Sequence, residues 1–281
     1  MDLAPSLMPD SFSVYELWPE QQPIRAGVTR LNMENVLLMT ATIAPRENTF
    51  LLSRHDPEQR KQDYIESLSF YLSVLERGVV SRIIFAENSP AELSDLQDLV
   101  RNRGLSDKVD FIKLGEGPEG QLSRFVLELD LLSKAMSNDV ADRNPDDTLF
   151  WKITGRYIIR NISEIIRTAP NVDFYANSRD YPTKWTDFYL AAFTKNAFRK
   201  IFLDRISDYN TLRSGEEILR EFIEENKTAG VNAIKVQERM KYVPRLSGIR
   251  GHDSGKYGGL RDSAKYYARV VMNRLVPSLW L

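Results

Sequence analysis

The sequence predicts an α/β protein, a mostly parallel sheet flanked by helices with a largely helical C-terminal part. Three observations carry this. From Asn35 onward, short apolar runs alternate with amphipathic stretches, as strands joined by crossover helices would. The longest amphipathic stretch is capped at both ends. A chain of 281 residues, 42% hydrophobic and 27% charged, has an ordinary globular composition and can bury a sizeable core.

The elements follow in order. "NVLLMTATIAP" (35–45) reads as a strand and a loop. "DPEQRKQDYIESLSFYLSVLERG" (56–78) reads as a long helix with Asp56 as N-cap, Pro57 at its first position and Gly78 at its close. Tyr64, Leu68, Tyr71, Leu72 and Leu75 fall on one face of it. A strand over 81–89, a helix over 90–104, a strand over 108–115 and a helix over 120–137 come next. A fourth strand (148–157), a short helix (161–169) and a fifth strand (171–180) complete the alternation. Residues 183–241 read as mainly helical, with Ser214 and Glu217 as a capping box and Gly230 as a stop. A Gly-rich loop, "LSGIRGHDSGKYGGLRD", precedes a last amphipathic helix that Pro277 ends. With no repeat, low-complexity tract or linker, one domain over 1–281 is expected. Its halves are an α/β part at 35–180 and a largely helical part at 181–281.

Composition sets several functions aside. A net charge of −1 gives no bulk electrostatic footprint for nucleic acid. With no cysteine there is no disulfide, thiolate nucleophile or cysteine–zinc site. "MDLAPSLMPDSF" has neither a basic n-region nor an apolar h-region, and no apolar run approaches the roughly 20 residues of a membrane span. A cytoplasmic protein is expected. H-E-x-x-H, G-x-S-x-G and a Ser/His/Asp arrangement are all missing, which removes metalloprotease and serine hydrolase readings.

Polar residues gather where the strands end. The first tip offers Thr40, Ala41, Thr42, Pro45 and Arg46, the second Glu87, Asn88 and Ser89, and the third Lys113, Gly115 and Glu116. The fourth offers Lys152, Thr154, Gly155 and Arg156, and the fifth Asn177, Arg179 and Asp180. Loops are polar by default, but α/β sheets bind ligands beyond the carboxyl ends of their strands, and the set points to a polar cleft there. "GEGPEG" (115–120) matches G-x-G-x-x-G, yet it falls in the third βα unit and carries two glutamates, so it reads as a turn and cap. "GHDSGK" (251–256) is no Walker loop. Arg250, His252, Ser254 and Lys256 among glycines could still wrap a diphosphate, or form a plain connector. His55 belongs to the turn before the long helix, and the acid-rich "DVADRNPDD" (139–147) reads as a solvated loop or a hard-cation site.

Five segments, "TATIAP" with "DPEQRKQDYIESLSFYL", "IIFAENS", "KLGEGPEG", "FWKITGRYIIRNI" and "SGIRGHDSGKYGG", occur in an order and spacing that resembles the GT-A-type glycosyltransferases of bacterial capsule and lipopolysaccharide assembly. The resemblance runs over roughly residues 35–260. It implies a GT-A-like, Rossmann-like fold and a nucleotide-sugar donor held at the carboxyl edge of the sheet. Thr40–Pro45 and Glu87–Ser89 would line the nucleoside pocket, with Lys113, Gly115 and Glu116 beside it. "WKITGR" stands where many such enzymes carry an Asp-x-Asp metal motif. That motif is missing, which leaves a divalent cation (Mn or Mg) an open question. Arg156, Arg179, Arg250 and Lys256 would neutralise the diphosphate instead, with Gly155 allowing close approach.

For an inverting transfer the resemblance places the general base at Glu216 or Glu217, with Asp180 as rival, and the Glu217 capping box is a complete structural explanation by itself. Trp185 and Tyr189 could stack on an acceptor sugar or pack in the core. The acceptor implied is a saccharide or lipid-linked saccharide of a growing surface polysaccharide or glycolipid. The last helix sets Lys265, Arg269 and Asn273 on one face and Tyr267, Val271 and Leu275 on another, with Leu279-Trp280-Leu281 beyond it. Such a helix docks on the domain or rests on the inner face of an anionic membrane. Two other functions stay open at this point: a nucleotidyltransferase-like enzyme, whose phosphate loop "TATIAPREN" does not supply, and a catalytically inactive nucleotide-sugar-binding subunit.

Overall fold

A computed structural model describes residues 34–46, 53–115, 117, 123–211, 213–228, 234–249 and 255–276. Its centre is a seven-stranded sheet in the order β3-β2-β1-β4-β7-β6-β8. These strands are β1 (Asn35–Ala41), β2 (Arg82–Glu87), β3 (Val109–Lys113), β4 (Leu149–Thr154), β6 (Phe174–Arg179), β7 (Trp185–Phe193) and β8 (Val236–Gln237). Every pairing is parallel except those of β7, which runs against both β4 and β6. The sheet is therefore mostly parallel, as the alternation predicts.

β7 is the correction to the expected helical region over 183–241. "WTDFYLAAF" is buried along nearly its whole length, so it carries neither a clean 3.6 nor a clean 2.0 period, and pairing with β4 and β6 decides its state. Helices do follow it: α6 (Lys195–Ile201), a 3-10 turn (Leu203–Tyr209) and α7 (Gly215–Thr228).

Successive residues of β1 divide the core into two layers. Leu37, Met39 and Ala41 join Tyr64, Leu68, Tyr71 and Leu72 of α1 (Pro57–Glu76) on one face. Val36 and Leu38 join Leu129 and Leu132 of α3 (Arg124–Met136), with α6 and α7, on the other. Asp56 caps α1 as expected, its carboxylate accepting from the Glu58 amide at 2.9 Å. α2 (Ser94–Asn102) and α3 start four residues later than the periodicity places them. α4 (Asp139–Asp142) and α5 (Ile162–Arg167) are short. β5 (Ile158–Ile159), β9 (Leu246–Ile249) and β10 (Lys256–Tyr257) form a second sheet, and α8 (Leu260–Leu275) is the last described helix. Among the described residues no helix is long and apolar enough to cross a membrane.

This order fixes where a ligand can enter. The chain builds β2 and β3 on one side of β1 and then returns to place β4 on the other. Beyond the carboxyl ends of β1 and β4 lies the switch point, the habitual crevice of open α/β sheets. Thr40 and Thr154 are register partners at its floor.

Candidate functional site at the carboxyl edge of the sheet

The α3 side of the crevice is built around Lys152. Thr40, Lys152 and Thr154 point to the α3 face by strand alternation, and Lys152 is fully buried. Its ammonium meets Glu128 Oε1 of α3 at 2.6 Å and donates to Thr154 Oγ1 at 3.1 Å and to the Phe188 carbonyl. Thr40 and Thr154 donate to the same Glu128 oxygen at 3.0 and 3.3 Å. The side chain of Glu128 is 25% exposed. Burial lowers the Lys152 pKa, and the charges of Glu128 and then Glu216 oppose that shift. Glu128 of α3 thus pairs with the buried ammonium, and the charge of Glu216 in the first turn of α7 also acts on it. The approach depends on Gly215, where a Cβ would lie 2.1 Å from the Phe125 ring.

The α1 side carries the opposite charge. The Arg60 guanidinium, 4% exposed, donates to the carbonyls of Thr42 and Arg54. Arg156, 7% exposed, donates to the Ile249 carbonyl at 3.1 Å. Neither makes an ion pair among the described residues. Burial lowers the Arg60 pKa; Tyr64 opposes that, the Arg156 charge lowers it further, and the Glu87 carboxylate raises it. Buried cations that no carboxylate contacts directly are costly, and two that feel each other's charge suit an anion.

The other expected residues are placed as follows. Glu87 is fully buried and accepts from the amides of Ile43 (3.1 Å) and Ser89 (2.8 Å) and from the Ser89 hydroxyl; burial raises its pKa. Ser89 accepts from Ala44 N at 2.9 Å, so Glu87 and Ser89 hold the loop after β1 from inside. Ala41 is buried, whereas Thr42 and Asn88, bonded to each other at 2.7 Å, are half-buried at the rim with Pro45. Arg46 is exposed and donates to the Gly117 carbonyl at 2.9 Å. Gly115 is exposed, as is Lys113, which pairs with Glu92 at 3.0 Å.

Gly155 is buried against the helix rather than open to a ligand. A Cβ there would lie 2.6 Å from the Thr40 carbonyl and 3.0 Å from the Tyr64 ring. Asn177 and Arg179 bind the carboxylate of Asp187 across β6 and β7, and the Arg179 guanidinium stacks 4.4 Å above Trp185. Tyr189 donates to Asp187 at 3.2 Å, and burial raises its pKa well above the ordinary value.

Asp180 pairs with Arg220 at 3.2 Å, and Arg220 also meets Glu224 and Glu238 at 3.2 and 2.7 Å. The Ser214 hydroxyl bonds Glu216 and not Glu217, donating to Glu216 Oε2 at 2.7 Å and accepting from its amide at 3.3 Å, while the Glu217 amide donates to the Ser214 carbonyl at 3.1 Å. Glu116, Arg250, His252, Ser254 and the Lys256 side chain lie outside the described residues, as do Gly230 and Pro277. His55 is exposed before α1.

Arg60 and Glu128 escaped the sequence reading. Both had a signal: Arg60 stands on the apolar face of its helix with Tyr64, Leu68 and Tyr71, and Glu128 stands beside Phe125, Leu129 and Leu132. A charge on the buried stripe of an amphipathic helix marks either a buried ion pair or a site.

Among the described residues no group of three metal-ligating side chains occurs, and the 139–147 acids form none. Glu128 Oε1 is already engaged by the Lys152 ammonium, and Glu216 Oε2 by the Ser214 hydroxyl. These donors do not fit a divalent cation as they stand.

No protein family profile and no curated protein matches the chain. Among solved structures, a Desulfovibrio desulfuricans G20 protein named for nucleotide-diphospho-sugar transfer aligns over 74% of this chain and 80% of its own, at 12% identity and a TM-score of 0.42. Galactosyltransferase LgtC, solved with donor and acceptor sugar analogues, aligns over 66% and 69% at 9% identity and 0.40. Glycosyltransferase GlyE of Streptococcus pneumoniae TIGR4 aligns over 74% and 46% at 8% identity and 0.40. Scores of this size leave fold and chemistry to be argued from the strand order and side chains above.

Proposed function

We propose that the chain is a glycosyltransferase that moves a sugar from a nucleotide diphosphate donor to a saccharide or lipid-linked saccharide acceptor of a growing surface polysaccharide or glycolipid. The observation that carries this reading is the polarity of the crevice: two buried guanidiniums that make no ion pair among the described residues on its α1 side, and on its α3 side a buried ammonium paired with Glu128 and under the charge of Glu216. A diphosphate suits the first wall. Sugar hydroxyls and an acceptor to be deprotonated suit the second. The sequence resemblance agrees with this assignment.

In an inverting transfer the acceptor hydroxyl oxygen bonds to the anomeric carbon as its proton passes to a carboxylate. The carbon–oxygen bond to the diphosphate breaks, and its electron pair leaves with the nucleotide. Arg60 and Arg156 would stabilise the negative charge that develops there. Glu216 is the assigned base, because its charge reaches Lys152 at the strand tip, whereas Asp180 is engaged by Arg220. Glu128, fixed by Lys152 and a quarter exposed, would hold donor or acceptor hydroxyls.

The test is nucleoside diphosphate release from a panel of nucleotide sugars in the presence of saccharide acceptors. Release by the wild type and its loss in Glu216→Gln, with donor binding kept, are expected. Binding without release under every condition would favour the inactive binding subunit, and neither binding nor release would overturn the assignment.

A further inference from the structure

We infer that the outer face of α8 is a docking surface for an anionic lipid bilayer. Tyr267, Val271 and Leu275 are 56%, 51% and 73% exposed, and Val276 beyond them is 39% exposed. Their four-residue spacing makes one continuous stripe, to which exposed Ala264 and Ala268 belong. Burying such a stripe in the core is the usual fate of an amphipathic helix, yet here the opposite side faces the protein. Tyr266 lies 5.8 Å from the Arg245 guanidinium, and the Arg269 charge acts on Tyr189 of β7.

Charge selects the occupant. α8 carries Arg261, Lys265, Arg269 and Arg274 against a single acid, Asp262 in its first turn, with Arg269 on the side that faces the protein, while the whole chain has a net charge of −1. Lys265 and Arg274 are exposed and flank the apolar stripe. A second copy bound through a two-fold axis would set this cationic face against itself. An anionic headgroup layer complements it, with the apolar side chains entering the interface and the cations meeting phosphates. The inference stands whether or not the crevice transfers sugars, since it concerns a different surface.

Co-sedimentation of the full chain with vesicles tests it. Phosphatidylglycerol–phosphatidylcholine vesicles should bind the protein on the order of tenfold more than phosphatidylcholine alone, a preference that weakens as salt screens it. Val271→Asp and Leu275→Glu should each reduce binding to near the neutral-vesicle value with an unchanged melting temperature, because both side chains are exposed. Lys265→Glu should read the same loss if either variant melts early. Equal binding to both vesicle types would overturn the inference. So would binding that survives all three substitutions, or a solution dimer that Val271→Asp dissociates.

Discussion

Arg156 and Glu216 carry the heaviest residue-level claims. If Arg156 faces the donor diphosphate, Arg156→Ala should weaken nucleoside diphosphate binding roughly tenfold to a hundredfold, the range of a charge-assisted hydrogen bond. Titration calorimetry reads this directly, and an unchanged affinity would reduce Arg156 to the partner of the Ile249 carbonyl. Glu216→Gln and Glu217→Gln separate two neighbours: turnover should collapse in the first and persist in the second, because only Glu216 reaches the Lys152 charge. The reverse outcome would return the base to Glu217. Arg156 was legible in the sequence because it breaks an apolar run. Arg60 and Glu128 were not, because a charge in a helical stretch is ordinarily solvent-facing and only its angular position betrays it.

At the scale of elements, two glycines set helix positions. Gly215→Ala would drive a methyl to 2.1 Å from the Phe125 ring, forcing α7 away from α3 and Glu216 away from Lys152. A loss of about 1–3 kcal/mol, the usual range for overpacking, should appear in chemical denaturation together with reduced turnover. Retained stability and turnover would mean that the two helices can part freely. The strands β1 to β4 and β6 and the cap of α1 could be read from the sequence, since apolar runs and Asp56–Pro57 are local signals. β7 could not, because a strand buried on both faces has no period of its own and is defined by partners distant in sequence. The fourth strand ends at Thr154, short of the expected end at 157. Gly155 lets the end of β4 approach α1, since a Cβ there would meet the Thr40 carbonyl and the Tyr64 ring.

The whole molecule should respond to alkaline pH through its buried tyrosines. Burial pushes the Tyr175 phenol from 10.0 up to about 12, and it raises Tyr71, Tyr189 and Tyr209 as well. A group whose folded pKa is raised contributes stability that is complete below its unfolded value and lost as pH rises through the folded one. For Tyr175 the window runs from about pH 10 to about 12, and the contribution is on the order of 3 kcal/mol. The melting temperature should fall steeply above pH 10 and less steeply in Tyr175→Phe. A variant curve parallel to that of the wild type would contradict this.

The central claim is that the crevice between β1 and β4 holds a nucleoside diphosphate. A thermal-shift titration of the wild type and Arg156→Ala with nucleoside diphosphates and nucleotide sugars, with and without manganese, tests it most directly. Ligand at about a hundredfold over its dissociation constant should add roughly 2.7 kcal/mol and raise the wild-type melting temperature by several degrees. At the same concentration Arg156→Ala should show a much smaller rise. No shift with any nucleotide, or an equal shift in both proteins, would contradict the account.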